Sequence, residues 1–347
     1  MKRSSVRARI RQLCCLGLPA EMLMVPLLPA LRELVPSDLA GFVWVDARGS
    51  VRNIYAESLP PPELAPGLHD ISGDGFEIAL RASILACAES PDEIATTRVD
   101  GAAGDHVLCA LARTNAGALG QLRLYRHVEH GPFGPRDRAD LASVMHYVAQ
   151  AVAERGAPSP GDPLALAYED SDEEAMIVAD CGGTIHFASD KGLQLLLLAT
   201  TRDIQPQMLR ASVNEGATRA IKTLCARLTS GAGDVAPPVL TLDSIWGRFV
   251  IRGYRLSDGH RGEARIGLRV RRQVPMILRF VEAMGHQPLS PQQREIALQI
   301  ALGRSNHEIS ARMGVSPNTV AYHIKQLFLR LNVHTRTEAI EKIAWET

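Results

Sequence analysis

Apolar positions change their period repeatedly along this chain, and each change marks a new element. Residues 1–11 are basic and residues 13–20 apolar, which imitates a secretory leader. Glu21 interrupts the pattern, and the next uncharged run, 22–31, contains two prolines. Neither run reaches the ~20 residues of a membrane span. These residues read as a helical entry to a first domain. Residues 41–46 form an apolar strand, 46–50 a turn and 51–55 a returning strand, which together predict a hairpin. Pro60, Pro61 and Pro62 open a loop. Residues 77–89 are helical, with Ile78, Ala82, Leu85 and Ala86 assigned to one apolar face. Residues 106–112 and 119–125 read as strands, Leu122 and Leu124 alternating with Arg123. After Phe133, the Gly134, Pro135 and Asp137 signals cap a long helix to Glu154. It is apolar at Leu141, Val144, Met145, Val148 and Val152.

A run of Gly, Pro and Ser at 155–163 is a linker and sets the first boundary. The acidic stretch 169–174 reads as a solvated lead-in. A strand at 175–180, a turn at Cys181, Gly182 and Gly183, and a partner strand at 184–188 follow. Helices come next at 189–199 and 217–229. The loop 230–238 precedes three closing strands, 239–242, 248–256 and 263–272, with Trp246 and Gly247 at the hairpin between the first two. The last strand alternates cleanly. Ile266, Leu268 and Val270 take one face and Arg265, Arg269 and Arg271 the other, as in an antiparallel sheet with one wet face. Residues 275–284 form a short helix, apolar on one side at Ile277, Phe280, Val281 and Met284. It is either a coupling or dimerising helix or a packed linker.

From Pro288 onward the period is helical, punctuated by stop signals. Ser290, Pro291 and Gln293 form a capping box before Ile296, Ala297, Ile300 and Ala301, and Gly303 ends that run. Ser305 and Glu308 form a second box before Ile309 and Met313, with Gly314 as the stop. Ser316 and Pro317 open a third helix, apolar at Val320, Ile324, Leu327 and Leu331, with Asn332 in the C′ place. Thr335 and Glu338 form a third box before Ala339, Ile340, Ile343 and Ala344. The tight turn 313–316 makes the second and third helices a helix-turn-helix. The third helix leaves Asn318, Tyr322, Lys325 and Leu329 outward, with Ala321 beside them. Such a helix fits the major groove, where Lys325 can meet a phosphate or a guanine and Asn318 and Tyr322 can hydrogen-bond. Thr319 lies in the first turn, where backbone N–H groups and the helix dipole favour a phosphate.

Composition narrows the choice. The chain has 347 residues, 46% apolar and 22% charged, which suits two or three ordinary globular domains. Its formal charge is zero, so any nucleic-acid affinity must be local. Residues 286–347 carry seven Lys or Arg against five acids, a net +2. One copy would make few phosphate contacts, and a second would have to supply the rest. The six cysteines, Cys14, Cys15, Cys87, Cys109, Cys181 and Cys225, show no metal-ligand spacing. They read as buried free thiols of a reducing compartment. A redox pair at Cys14 and Cys15 is the weaker alternative, because adjacent cysteines bridge with strain. There is no phosphate-binding loop, nucleophile elbow or zinc-protease helix, and His127, His130 and His186 read as ordinary core or surface residues. An enzyme is disfavoured. So is a phosphoacceptor receiver, since no pair of acids ends the first strand.

Ser290-Pro291, Arg294-Glu295, Gly303, Ser305-Asn306, Glu308-Ile309, Ala311, Gly314-Val315-Ser316, Thr319-Val320, His323, Leu331 and Arg336 stand at fixed spacing. Together they resemble the LuxR-type DNA-binding domain, over about sixty of the 347 residues. One position departs from the family. It usually has a basic residue after the Thr-Val pair, and here Ala321 stands there, which implies either an altered readout or reliance on Lys325 and Arg330. The resemblance implies double-stranded DNA as partner, contacted by Asn318, Thr319, Tyr322, Lys325, Gln326 and Arg330. It also implies a homodimer paired through the last helix at Ile340 and Ile343, reading half-sites roughly 34 Å apart.

Upstream, the strand pair, returning strands and long helix opening at Phe133 resemble a GAF sensor domain. The strand, the turn at Asp180-Cys181-Gly182-Gly183, the second strand and Ala188-Ser189-Asp190 resemble the opening of a PAS domain. The expected fold class is multidomain α+β. Two α/β sensor-like domains, GAF-like over 1–155 and PAS-like over 165–274, lead through a connecting helix at 275–285 to a four-helix helix-turn-helix domain at 286–347. The implied function is a cytoplasmic, sequence-specific transcriptional regulator with no catalytic residue, metal ligand or membrane segment. RNA polymerase and a small-molecule effector are candidate partners, and the sequence identifies no cofactor. The alternative makes the N-terminal half a protein-interaction platform whose partner controls DNA binding.

Overall fold

The computed structural model describes residues 3–57, 74–98, 106–153, 167–209, 214–229, 236–256 and 265–345. Two helices open the chain, α1 (Arg3–Cys14) and α2 (Ala20–Leu34). α2 is buried at Met22, Leu23, Met24, Leu27, Leu28 and Leu31, as befits a helix enclosed by others, and Pro26 and Pro29 fall on its less buried side. Among the described residues no helix is long and apolar enough to cross a membrane.

The first sheet contains β1 (Leu39–Val45), β2 (Val51–Ala56), β3 (Ile94–Arg98), β4 (His106–Thr114) and β5 (Gly117–Arg126). All pairs are antiparallel, in the order β2-β1-β5-β4-β3. The expected hairpin closes on Asp46, whose Oδ1 accepts from the Arg48 and Ser50 N–H groups at 2.8 and 2.9 Å. β3 was not foreseen. One face carries Phe42, Leu108, Ala110, Leu122 and Leu124, in one apolar core with α1, α2 and α4 (Pro135–Ala153). Arg3 and Arg7 clamp α1 to the buried Asp140 of α4.

The other face meets α3 (Asp74–Ala88), and here the expected orientation is wrong. Ile78 and Leu85 are 66% and 60% exposed, while Leu80, Ser83 and Cys87 point inward. The cause is a buried amide. Gln121 on β5 donates to the Ser83 hydroxyl at 3.0 Å and to the Cys87 sulfur at 3.4 Å. Leaving a buried amide unsatisfied costs about 1–3 kcal/mol, which competes with the burial of one aliphatic side chain.

The second sheet contains β6 (Tyr168–Asp180), β7 (Ile185–Ala188), β8 (Val239–Ser244), β9 (Gly247–Leu256) and β10 (Arg265–Pro275), in the order β7-β6-β10-β9-β8. Helices α5 (Asp190–Thr200) and α6 (Glu215–Thr229) pack on it. The acidic run 169–174 is part of β6, not a solvated lead-in. Its acids answer the arginines of β10: Glu174 accepts from Arg269 and Arg271, and Glu173 from the buried Arg272 at 2.6 Å. A register irregularity between Arg271 and Gln273 interrupts the alternation beside Arg272.

Trp246 joins the two sheets. Its ring lies edge-on to Trp44 at 5.9 Å and tilted on Tyr55 at 5.4 Å. Nearby, Gln194 donates to the Ala56 carbonyl at 2.8 Å, and Asn53 accepts from the Ile204 N–H at 2.8 Å.

The expectation of free thiols fails at one pair. Cys181, in the β6–β7 turn, and Cys225, on α6, form a disulfide across 44 residues, while Cys14, Cys15, Cys87 and Cys109 are free. Linear spacing could not reveal it, because only the packing of α6 beside that turn brings the two together. Cys225→Ser should lower the stability of the oxidised chain by at most about 4 kcal/mol, the chain-entropy value for a loop of this length. Thermal unfolding with and without reductant checks it, and reductant should not lower the variant further.

The Arg272 pair makes a second prediction. Burial pushes the Glu173 carboxyl up, but Arg272 and Lys191 outweigh that and hold it below its ordinary value. A carboxylate depressed in the folded state contributes stability above its unfolded pKa and loses it as pH falls through the folded one. Glu173→Gln should therefore cost on the order of 3 kcal/mol near neutrality, the low end for breaking a buried pair, since Glu173 is 20% exposed. The gap between variant and wild-type melting temperatures should close below roughly pH 4.

Candidate nucleic-acid interface

Five helices end the chain: α7 (Met276–His286), α8 (Pro291–Ala301), α9 (Asn306–Met313), α10 (Pro317–Leu331) and α11 (Arg336–Trp345). Their boundaries follow from local chemistry. At α8 the Gln293 N–H donates to Ser290 Oγ at 3.2 Å, and the Ser290 N–H donates back to Gln293 Oε1 at 2.9 Å. Ser305 and Glu308 repeat the arrangement at α9. Hydrogen bonds from Ser305 hold the Glu308 carboxyl below its ordinary value. At α11 the box is skewed: the Glu338 N–H donates to Thr335 Oγ1, but its carboxylate accepts from the His334 N–H. Gly314 and Asn332 end α9 and α10 at φ +65° and +54°, the left-handed region that favours Gly and Asn. Arg336 ties α11 to the α8–α9 turn through Asn306 Oδ1 at 2.6 Å and the Arg304 carbonyl.

α10 buries Val320, Ile324, Leu327 and Leu331 against α8 and α9. The opposite side is open even with the whole chain in place. Asn318, Ala321, Lys325 and Arg330 are exposed, Tyr322 and Leu329 by 60% and 65%. Thr319 and Gln326 are half-buried at its edges. The Thr319 N–H is taken by Ser316 Oγ at 3.1 Å, and the two hydroxyls lie 2.8 Å apart. A phosphate at this end would meet the hydroxyl pair and the helix dipole, not that N–H. Arg312, exposed in the last turn of α9, was not singled out from the sequence. Its signal was available, since the first helix of such a pair crosses the DNA backbone.

Ile340 is half-buried and Ile343 is 1% exposed. α11 packs against α7, α8 and α10 of the same chain. The apolar side of α7, at Ile277, Phe280, Val281 and Met284, is buried as well, so that helix is packed within the chain. α1 reaches the same region, Arg11 pairing with Glu295 at 2.6 Å.

Residues 287–343 match the family described as bacterial regulatory proteins, luxR family. This segment is a LuxR-type helix-turn-helix domain. The chain is 38% identical over 63 residues to SgaR of Hyphomicrobium methylovorum, described as a transcriptional regulatory protein; the match spans 17% of this chain and 30% of the relative. It is 45% identical over 51 residues to YhjB of Escherichia coli (strain K12), described as an HTH-type transcriptional regulator, over 15% of this chain and 26% of the relative. The chain thus spans less than a third of the curated relatives it matches. Among solved structures, the ligand-binding domain of the Pseudomonas aeruginosa PAO1 amino acid chemoreceptor PctC covers 70% of this chain and 79% of its own, at 14% identity and TM-score 0.20. The sensor region of a sensor histidine kinase covers 76% and 91%, at 12% identity and TM-score 0.20.

Lys325→Ala should weaken DNA binding by about 1–3 kcal/mol, with the loss concentrated at one base position. Competition binding against a set of single-base variants reads this. An equal loss on every sequence would reassign Lys325 to a phosphate.

Proposed function

We propose that this chain is a sequence-specific DNA-binding transcriptional regulator whose N-terminal half controls the action of its C-terminal domain. The observation that carries the reading is the open stripe Asn318, Tyr322 and Lys325 on a fully capped helix, inside the segment that matches the luxR family. Thr319, Gln326 and Arg330 flank the stripe and complete the contact set. The reaction partner is double-stranded DNA, the compartment the cytoplasm, and RNA polymerase the candidate target of the bound regulator.

Two five-stranded antiparallel sheets with helices on them support sensor-like domains, GAF-like before residue 155 and PAS-like from 165 to 274. A signal there would bias an equilibrium between DNA-competent and incompetent arrangements. Two copies pair through the last helix at Ile340 and Ile343. Because Ile343 is enclosed within the chain, that pairing requires α11 to shift against α7. A second reading makes the N-terminal half a platform for a partner protein. The outward Ile78 and Leu85 of α3 favour it, as apolar surface that the chain itself leaves uncovered.

Selection of bound genomic fragments by the full-length protein, at stated salt, tests the function. A two-fold-symmetric motif is the expected result. Binding that is sequence-blind and lost with salt would overturn it. Ile340→Glu should reduce affinity for the symmetric site and leave a single half-site unaffected, as read by titration on both DNAs. Equal affinities for both proteins on both DNAs would remove α11 from the subunit contact.

A further inference from the structure

The face of the first sheet that meets α3 carries a positive charge with no ion-pair partner among the described residues. Arg123 lies mid-strand on β5, directly opposite Cys109 of β4 and Gly41 of β1. Its neighbours Leu122 and Leu124 turn to the apolar core, so the guanidinium is on the α3 side. It lies over the Tyr125 ring, with Cζ 5.8 Å from the centroid. Its side chain also hydrogen-bonds Tyr125, but its Nε is enclosed and has no hydrogen-bond partner among the described residues. Among the described residues, no carboxylate forms an ion pair with it. Arg126 and Arg138 of the same domain, by contrast, pair with Asp137 and Asp92.

The groups around Arg123 cannot supply the missing charge. Burial pushes the Cys87 thiol up to about 11, and burial raises the Tyr125 phenol above its ordinary value, so both are neutral at physiological pH. A guanidinium stays protonated under all such conditions. An enclosed charge without a partner is a destabilising feature unless something compensates it. The adjoining groups are those of a recognition site. Gln121 and Ser83 form a hydrogen-bonded pair at 3.0 Å, and the Gln121 amide also reaches Cys87. On β1, Gly41 places no side chain beside Arg123.

We propose that this face binds a small organic carboxylate, with Arg123 as its counter-charge, Gln121 and Ser83 as its polar contacts and the Tyr125 ring as its apolar wall. A single guanidinium fork matches the geometry and the charge of one carboxylate. It does not match a phosphate dianion, which would leave charge uncompensated in a half-buried place. The inference rests on the sensing half of the proposed function and is independent of the DNA-binding half.

The test is thermal unfolding of the full chain with acetate, propionate, benzoate, phenylacetate and succinate, each beside its uncharged amide, and with inorganic phosphate. At least one carboxylate should raise the melting temperature with concentration, while its amide does not. Arg123→Gln should abolish that rise. Without any addition, the same variant should melt no lower than wild type, because it loses an uncompensated charge. Arg123→Lys should keep part of the response. The proposal falls if Arg123→Gln melts lower without additives, which would make the arginine a structural group. It falls equally if no carboxylate produces a shift that depends on Arg123, or if phosphate produces it instead. Whether the wild-type chain binds DNA is a separate measurement, so failure of the DNA-binding reading leaves this test intact, and failure of this test leaves that reading intact.

Discussion

The burial of one short helix, α7, holds the two halves of this molecule together. Ile277, Leu278, Phe280, Val281 and Met284 are all removed from water within eleven residues. Each such side chain contributes about 1.5–3 kcal/mol on burial, so this helix is not free to detach from what it touches. It touches strands of the second sheet on one side and α1, α8 and α11 on the other. A cleft of about 1030 Å³ runs along the seam, lined by Arg9, Glu169, Asp172 and Arg279 among others. Packed interfaces of this kind shift between discrete arrangements and do not deform continuously. α7 and the contacts of α1 with α8 are the described connections between the sheets and the C-terminal helices.

The other contacts across the seam have a different character. Arg11 and Glu295 make an exposed pair, and Arg279 of α7 pairs with Asp172 of β6 at the surface. Exposed pairs contribute from nothing to about 1 kcal/mol and weaken with salt. They set orientation, while α7 and α11 supply the adhesion. The seam is thus held by an apolar contact, which under the proposed pairing a second copy of α11 would replace with a contact of the same kind. Exchange of like for like needs little net free energy, which suits a balanced equilibrium.

The sequence was most legible where the determinants are local. Every stop and start around α8, α9 and α10 could be read from residues within four positions, because capping is a matter of Ser, Glu, Gly and Asn at fixed offsets. The outward stripe of α10 followed from the same periodicity. Long-range determinants were not legible. The face of α3 was misassigned because Gln121, 38 residues beyond Ser83, decides which side turns inward. The acids of 169–174 looked solvated because their arginines lie about a hundred positions later on β10. The bond between Cys181 and Cys225 depends on a helix packing beside a turn. Alternation on β5 placed Arg123 correctly, but only the assembled sheet reveals that, among the described residues, no acid pairs with it.

The arrangement of the C-terminal helices also constrains how control can work. The stripe that would read DNA is already open, with Tyr322 and Lys325 exposed while both sheets are in place. Uncovering that stripe therefore cannot be the controlled step. What the rest of the chain does enclose is α11, through Ile343. Under the proposed pairing, a domain with a net charge of only +2 would bind DNA weakly as a single copy, and its effective affinity would depend on the second copy. In that reading, enclosing the last helix would limit the paired complex without covering the reading helix. It would also leave single-site encounters with DNA unhindered, so control of this kind would act on the stability of the paired complex and not on the search.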